Sequence, residues 1–279
     1  MSDTSATLSK AARKPIFIGL VLVALTIVYP LFFLLSSAFR TKLDYQRAPF
    51  GWPTEFTARN FIVLWNNYGI GPAAMHSIVV VGISLSLVVV LATSAGYAMA
   101  KLPVPGTKYI NASFVSVMLI PSQVLIIPIY LLLSRIGLVG DFSGLVLVYV
   151  ATGLPFAVFF LTLSFRSIPD EVLEAARIDG AGFFRTLFSI VLPMGSASIA
   201  TLAVLQFLGM WNELLFAYIL LPDDTKRMLT PALAQIGGRY VSDQPLVSAG
   251  LIITALPPIL LLAFASKYVM RGLAAGVSR

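Results

Sequence analysis

The sequence predicts an all-α, polytopic membrane protein with six transmembrane helices and a short cytoplasmic helix between the fourth and fifth. Three observations carry that prediction. Of 279 residues, 58% are hydrophobic and only 11% are charged, well under the roughly 25% charged share of soluble domains. The mean hydropathy of +0.91 leaves too little polar surface to cover a soluble fold, so most of the exterior must face lipid. The charges are also segregated: the stretches 16–39, 77–100, 110–134, 143–165, 195–221 and 246–266 total 144 residues and hold one charged side chain, Glu213. Each is long enough, at about 1.5 Å per residue, to cross a hydrocarbon layer of about 30 Å as a helix. With no cysteine and one histidine, disulfide frameworks, thiol nucleophiles and Cys- or His-rich metal centres are excluded.

The first stretch follows Lys10, Arg13 and Lys14 and is longer than the roughly 7–15 apolar residues of a signal peptide; it reads as a retained helix. An even number of spans places both termini on one side, and the basic N-terminal flank assigns that side to the cytoplasm. Eleven Lys and Arg then fall inside against eight outside, and the net charge of +7 reads as membrane topology rather than nucleic-acid binding. The domain layout is therefore a cytoplasmic segment 1–15, a six-helix domain 16–266 and a cytoplasmic tail 267–279. The outer loop from Thr41 to His76 carries Phe50, Trp52, Phe56, Phe61, Trp65 and Tyr68, which suit an interfacial belt or a ligand surface. The loops Lys101–Lys108 and Arg135–Asp141 read as simple connections. Pro30, Pro121, Pro128, Pro155, Pro257 and Pro258 fall within spans, where each removes a backbone donor and can bend its helix.

The loop 166–194 is the most informative segment. Ser167 followed three residues later by Asp170 resembles a capping box, with Pro169 in the first turn and Asp170 and Glu171 favouring a helix N-terminus. Gly180 is a natural helix stop, because it accepts the left-handed conformation. Val172, Leu173, Ala176 and Ile178 supply partial apolar surface, and Glu174 and Arg177 are spaced to pair. So short a helix depends on packing for its stability.

Glu174-Ala175-Ala176, then Gly180, then Ile190-Val191-Leu192-Pro193 follow at a spacing that resembles the EAA loop of ABC importer permeases, all seven pattern positions being filled. Ile120-Pro121-Ser122-Gln123-Val124, Trp211-Asn212-Glu213, Thr230-Pro231-Ala232-Leu233-Ala234-Gln235 and Lys267 to Leu273 are similar to the maltose-permease-like, carbohydrate-uptake branch. Two departures are His76-Ser77, where that branch often has Asn-Ser, and Val241 to Pro245, where Trp-Gly is common. The resemblance implies a multi-pass permease subunit of the bacterial cell membrane, for a sugar, oligosaccharide or glycerol phosphate diester, with a coupling helix that docks on a separate ATPase. It implies Glu174, Ala175, Ala176, Arg177, Asp179 and Gly180 as the ATPase-coupling residues. The implied partners are a second, different permease, two ATP-binding subunits and an external substrate-binding protein. No phosphate loop G-x-x-x-x-G-K-[ST] occurs, so ATP and Mg belong to the partner ATPase, and this chain is expected to bind no cofactor and to catalyse no bond chemistry itself.

Polar residues within spans are candidates for the solute path. Glu213, the one ionisable residue there, must face protein or water, since a carboxylate at the bilayer centre costs on the order of 3 kcal/mol. Gln206, seven residues earlier on nearly the same helical face, Asn212, and Ser122 with Gln123 in the third span could hydrogen-bond sugar hydroxyls or neighbouring helices. The alternative to an ATP-driven importer is an ion-gradient-driven secondary transporter, for which Glu213 is the only intramembrane carboxylate on offer.

Overall fold

The computed structural model describes residues 10–239 and 243–277, and all regular structure among them is helical. The first nine residues, the stretch around Val241 and Ser242, and the last two residues lie outside that description. Five helices are long and apolar enough to cross a membrane, and a sixth crossing is made if one sharply bent pair counts as a span. The chain divides into two compact units, Met1–Asn67 with Ile236–Ile253 and Tyr68–Gln235 with Thr254–Arg279.

The first unit opens with α1 (Lys10–Ala38), whose side chains from Pro15 to Phe32 are all exposed. Two short helices follow, α2 (Lys42–Arg47) and α3 (Arg59–Asn67). Between them the chain is organised by Arg40, 1% exposed. Its Nε donates to Asp44 Oδ2 at 2.6 Å, Nη1 to the carbonyls of Pro49 and Gly51, and Nη2 to those of Asp44 and Ala48. All five donors of the guanidinium are thus used. Asn60 extends the knot by donating its amide to the carbonyls of Ala38 and Arg40 at 2.8 and 2.9 Å. Phe50, Trp52, Phe56 and Trp65 stay 60–82% exposed on this scaffold, as an interfacial belt or a ligand surface would each require.

The second unit is built around α4 (Ile70–Lys101) and α7 (Phe142–Phe165). Small residues let them approach closely: a Cβ added at Gly96 would sit 3.0 Å from Leu161 Cβ and 3.2 Å from the Thr162 backbone nitrogen. The third predicted span is not one helix. It consists of α5 (Thr107–Met118) and, after a 3-10 turn Ser122–Leu125, α6 (Ile126–Arg135), bent by 86°. Pro121, which has no N–H to continue α5, begins the second arm.

The short helix α8 (Asp170–Ile178) precedes the fifth span. That span starts earlier than its hydropathy suggests, with α9 (Phe183–Thr186), a π turn Leu187–Val191 and α10 (Leu192–Trp211). The π turn ends just before Pro193, whose missing N–H interrupts the regular ladder. The span also breaks at 212–214 before resuming as α11 (Leu215–Leu220). A 3-10 turn Asp224–Lys226, α12 (Leu229–Arg239) and α13 (Gln244–Val277) complete the chain. Because α13 runs to Val277, most of the segment expected to be a tail continues a helix.

Candidate functional site

The loop between α7 and α10 presents α8 with a marked inner and outer face. Leu173 and Ala176, three apart, are 4% and 7% exposed and turn inward, while Val172, Glu174, Ala175, Arg177, Ile178, Asp179 and Gly180 are exposed. Ala176 therefore packs against its own chain, beside Leu173. Ile178, 86% exposed, is the large apolar side chain on the outer face.

The helix ends in a complete Schellman motif. Ala181 N–H donates to Ala176 O at 2.9 Å and Gly180 N–H to Arg177 O at 3.0 Å, with Gly180 at φ +75. The start differs from expectation. Pro169 occupies the N-cap without a side-chain cap, because Ser167 Oγ instead donates back to Ser164 O at 2.7 Å, closing the end of α7. The proposed capping box is absent. Glu174 and Arg177 form no ion pair; both are exposed, where such pairing gains little.

Lys101, in a loop that reads as a plain connection, proves to be the residue that holds this segment. It ends α4, yet its Nζ lies 2.7 Å from Asp170 Oδ1, 2.5 Å from Ile168 O and 3.3 Å from Arg166 O. One turn earlier on α4, Tyr97 packs its ring 5.2 Å from that of Phe183, just beyond α8. A polar hollow of about 450 Å³ between the end of α4 and α8 is bordered by Lys101, Asp170, Glu174 and Arg177. No local sequence signal marks Lys101, since its partners lie 65 to 69 residues away.

The polar residues of the spans separate into two groups. Gln206, 9% exposed, donates Nε2 to Gly153 O at 2.9 Å and so joins α10 to α7. Asn212 donates to Leu208 O at 2.9 Å on its own helix. Glu213 is not in a helix: its oxygens accept the N–H groups of Phe216 and Ala217 at 2.9 and 3.0 Å and the Tyr149 hydroxyl at 3.3 Å. The carboxylate thereby caps α11 where the span is broken. The break also means that Gln206 and Glu213 do not share one continuous helical face; they meet α7 separately, at Gly153 and Tyr149. Ser122 and Gln123 stand apart from these, at the bend of the third span, with Ser122 partly exposed and Gln123 exposed.

At the other end of α4 the segment 222–235 is fastened to the bundle. His76 Nδ1–H donates to Arg227 O at 3.0 Å while its ring lies tilted against Phe142, 4.9 Å between centroids. Ser77 Oγ accepts Leu229 N–H at 2.8 Å and Lys226 Nζ donates to Gly140 O at 2.9 Å.

Residues 92–275, which contain α8 and Ser122, Gln123, Gln206, Asn212 and Glu213, match the family model described as the binding-protein-dependent transport system inner membrane component. The chain belongs to this family. Over 262 residues it is 32% identical to the diacetylchitobiose uptake system permease protein NgcG of Streptomyces coelicolor, covering 93% of this chain and 87% of that one. It is 29% identical over 248 residues to the melibiose/raffinose/stachyose import permease protein MelC of Bacillus subtilis, covering 88% and 90%. Among solved structures, a chain of a bacterial ABC transporter involved in the import of the acidic polysaccharide alginate superposes with a TM-score of 0.82 at 19% identity, covering 95% of this chain and 99% of that one. The fold is thus that of a binding-protein-dependent permease, with α8 in the loop that precedes its fifth span.

Proposed function

We propose that this permease takes a carbohydrate or a related solute, a sugar, oligosaccharide or glycerol phosphate diester, through the bacterial cell membrane, as half of a translocation path shared with a second, different permease chain. Two separate ATPase subunits, which bind the ATP and Mg, dock on α8 from the cytoplasm, where both termini also lie, and an external binding protein delivers the solute. The observation that carries this reading is the outer face of α8: Glu174, Ala175, Ile178 and Asp179 stand exposed on a helix whose inner face and left-handed stop are fixed by its own chain. The relatives' names, diacetylchitobiose for one and melibiose, raffinose and stachyose for another, support the solute class. Ser122 and Gln123 are the side chains we assign to solute contact, because they are not engaged between helices.

The test is to co-express the chain with its neighbouring genes, purify the complex and assay ATP hydrolysis in lipid with the binding protein and a panel of oligosaccharides. Co-purification of an ATPase whose turnover rises with one loaded binding protein is the expected result. An isolated chain under complex-preserving conditions would overturn the reading. The ion-gradient alternative loses its physical basis, since Glu213 is occupied as a helix cap.

A further inference from the structure

We infer that α4 is the element that carries movement of the coupling helix into the membrane, and that Lys101 is the positioning residue that fastens the two together. The inference rests on the importer reading of α8. It begins with a count of donors. A lysine ammonium has three N–H groups and no acceptor, and Lys101 places them on three acceptors: Arg166 O, Ile168 O and Asp170 Oδ1. Two of these are main-chain carbonyls just past the end of α7, where helix carbonyls lack intrahelical partners. The third is a carboxylate in the first turn of α8. One side chain, 5% exposed, therefore joins the C-terminal ends of α4 and α7 to the N-terminal end of α8.

The exit of the coupling helix is held by the same turn of α4. Tyr97, four residues before Lys101 and 3% exposed, contacts Phe183 directly after the Gly180–Gly182 turn. Residues i and i+4 lie on one helical face, so α4 clasps α8 at both ends, with a charged grip before it and an aromatic one after it. Above the clasp, α4 and α7 pack closely at Gly96, where a Cβ would sit only 3.0 Å from Leu161 Cβ. Force applied to α8 therefore reaches the pair α4 and α7 as a rigid body rather than dissipating in a loop.

The chain has no cysteine, so paired spin labels introduced at Val172 on α8 and at Val90 on the exposed side of α4 report this linkage. The distance distribution is measured in the purified complex with cysteine-free partners, without nucleotide and with Mg-ATP plus vanadate. With Lys101 present the distribution is expected to be narrow. Lys101→Met should broaden it and abolish any concerted nucleotide response of the two labels, while Lys101→Arg, which keeps charge and multiple donors, should restore both. Tyr97→Leu should broaden it as well. Lys101→Met with an unchanged width and response overturns the clasp. Should Lys101→Met not accumulate, Asp170→Asn, which leaves both carbonyl contacts in place, carries the same comparison, and an unchanged width there with unchanged width in Tyr97→Leu has the same meaning. Absence of an ATPase from the wild-type complex would instead overturn the importer reading. The nucleotide-free widths, which need no ATPase, still decide whether Lys101 and Tyr97 hold α8 to α4.

Discussion

Gln206 and Glu213 each reach α7, one at Gly153 and the other at Tyr149 a turn away, and both are consumed in holding helices. Gln206→Leu should remove a buried bond worth about 1 kcal/mol. The complex should melt at a lower temperature while its preference among solutes is unchanged. Gln123→Ala, at the exposed bend, should do the reverse: unchanged melting with altered solute dependence of uptake. Thermal unfolding and uptake competition on the two variants separate the roles, and a solute-preference change in Gln206→Leu with none in Gln123→Ala would contradict the assignment. Glu213→Ala should cost about 1 kcal/mol through loss of the cap on α11. Gly180 differs in kind. No atom lies within 4 Å of a Cβ placed there, so Gly180→Val meets no clash and suffers only from φ +75, at about 1–2 kcal/mol. Normal membrane levels with reduced ATPase co-purification are expected, read from the yield of the pulled-down complex.

At the level of elements, the segment from Arg40 to Asn60 is a small folded body around one guanidinium. Arg40→Ala would leave four carbonyls and the Asp44 carboxylate without their donor, a loss on the order of 3 kcal/mol, and the segment should become sensitive to protease in sealed vesicles. The Arg40 hydrogen bond, followed by that of Thr54, holds the Asp44 carboxyl below its ordinary range. A depressed carboxylate contributes stability above its unfolded value and loses it as pH falls through the folded one. Protease protection should therefore be flat from pH 8 to 5 and decline only below about pH 4. Nothing in the sequence around Arg40 announced this body, because four of its five acceptors are main-chain carbonyls. The apolar spans were legible from hydropathy, and the stop at Gly180 from its residue type. The capping box was not, since Ser167 has a nearer acceptor in Ser164 O. Hydropathy also runs unbroken across 119–121, where Pro121 interrupts the third span, and nothing in the sequence says that Glu213 caps a new helix rather than sitting within one. Lys101 escaped notice because its partners lie 65 to 69 residues away and two of the three are main-chain carbonyls that any residue could supply.

For the whole molecule, the energy source follows from which groups are free to change. With Glu213 bound by two backbone N–H groups and a tyrosine hydroxyl, no span offers an uncommitted carboxylate for proton or sodium exchange. Uptake into proteoliposomes of the complete complex should persist when an ionophore collapses ion gradients and stop when ATP is withheld. Glu213→Gln should retain uptake. Gradient-dependent uptake without ATP would reverse this account. The 86° turn between α5 and α6 bears on how selectivity is to be sought. Where a helix stops inside an apolar layer, its peptide groups must meet water, protein or a passing solute. Peptide groups are the one part of a wall that side-chain scanning leaves untouched. An alanine scan of residues 119–125 would then register the side chains of Ser122 and Gln123 and miss the peptide groups beside them, for which replacing single amides by esters would be the more telling chemistry.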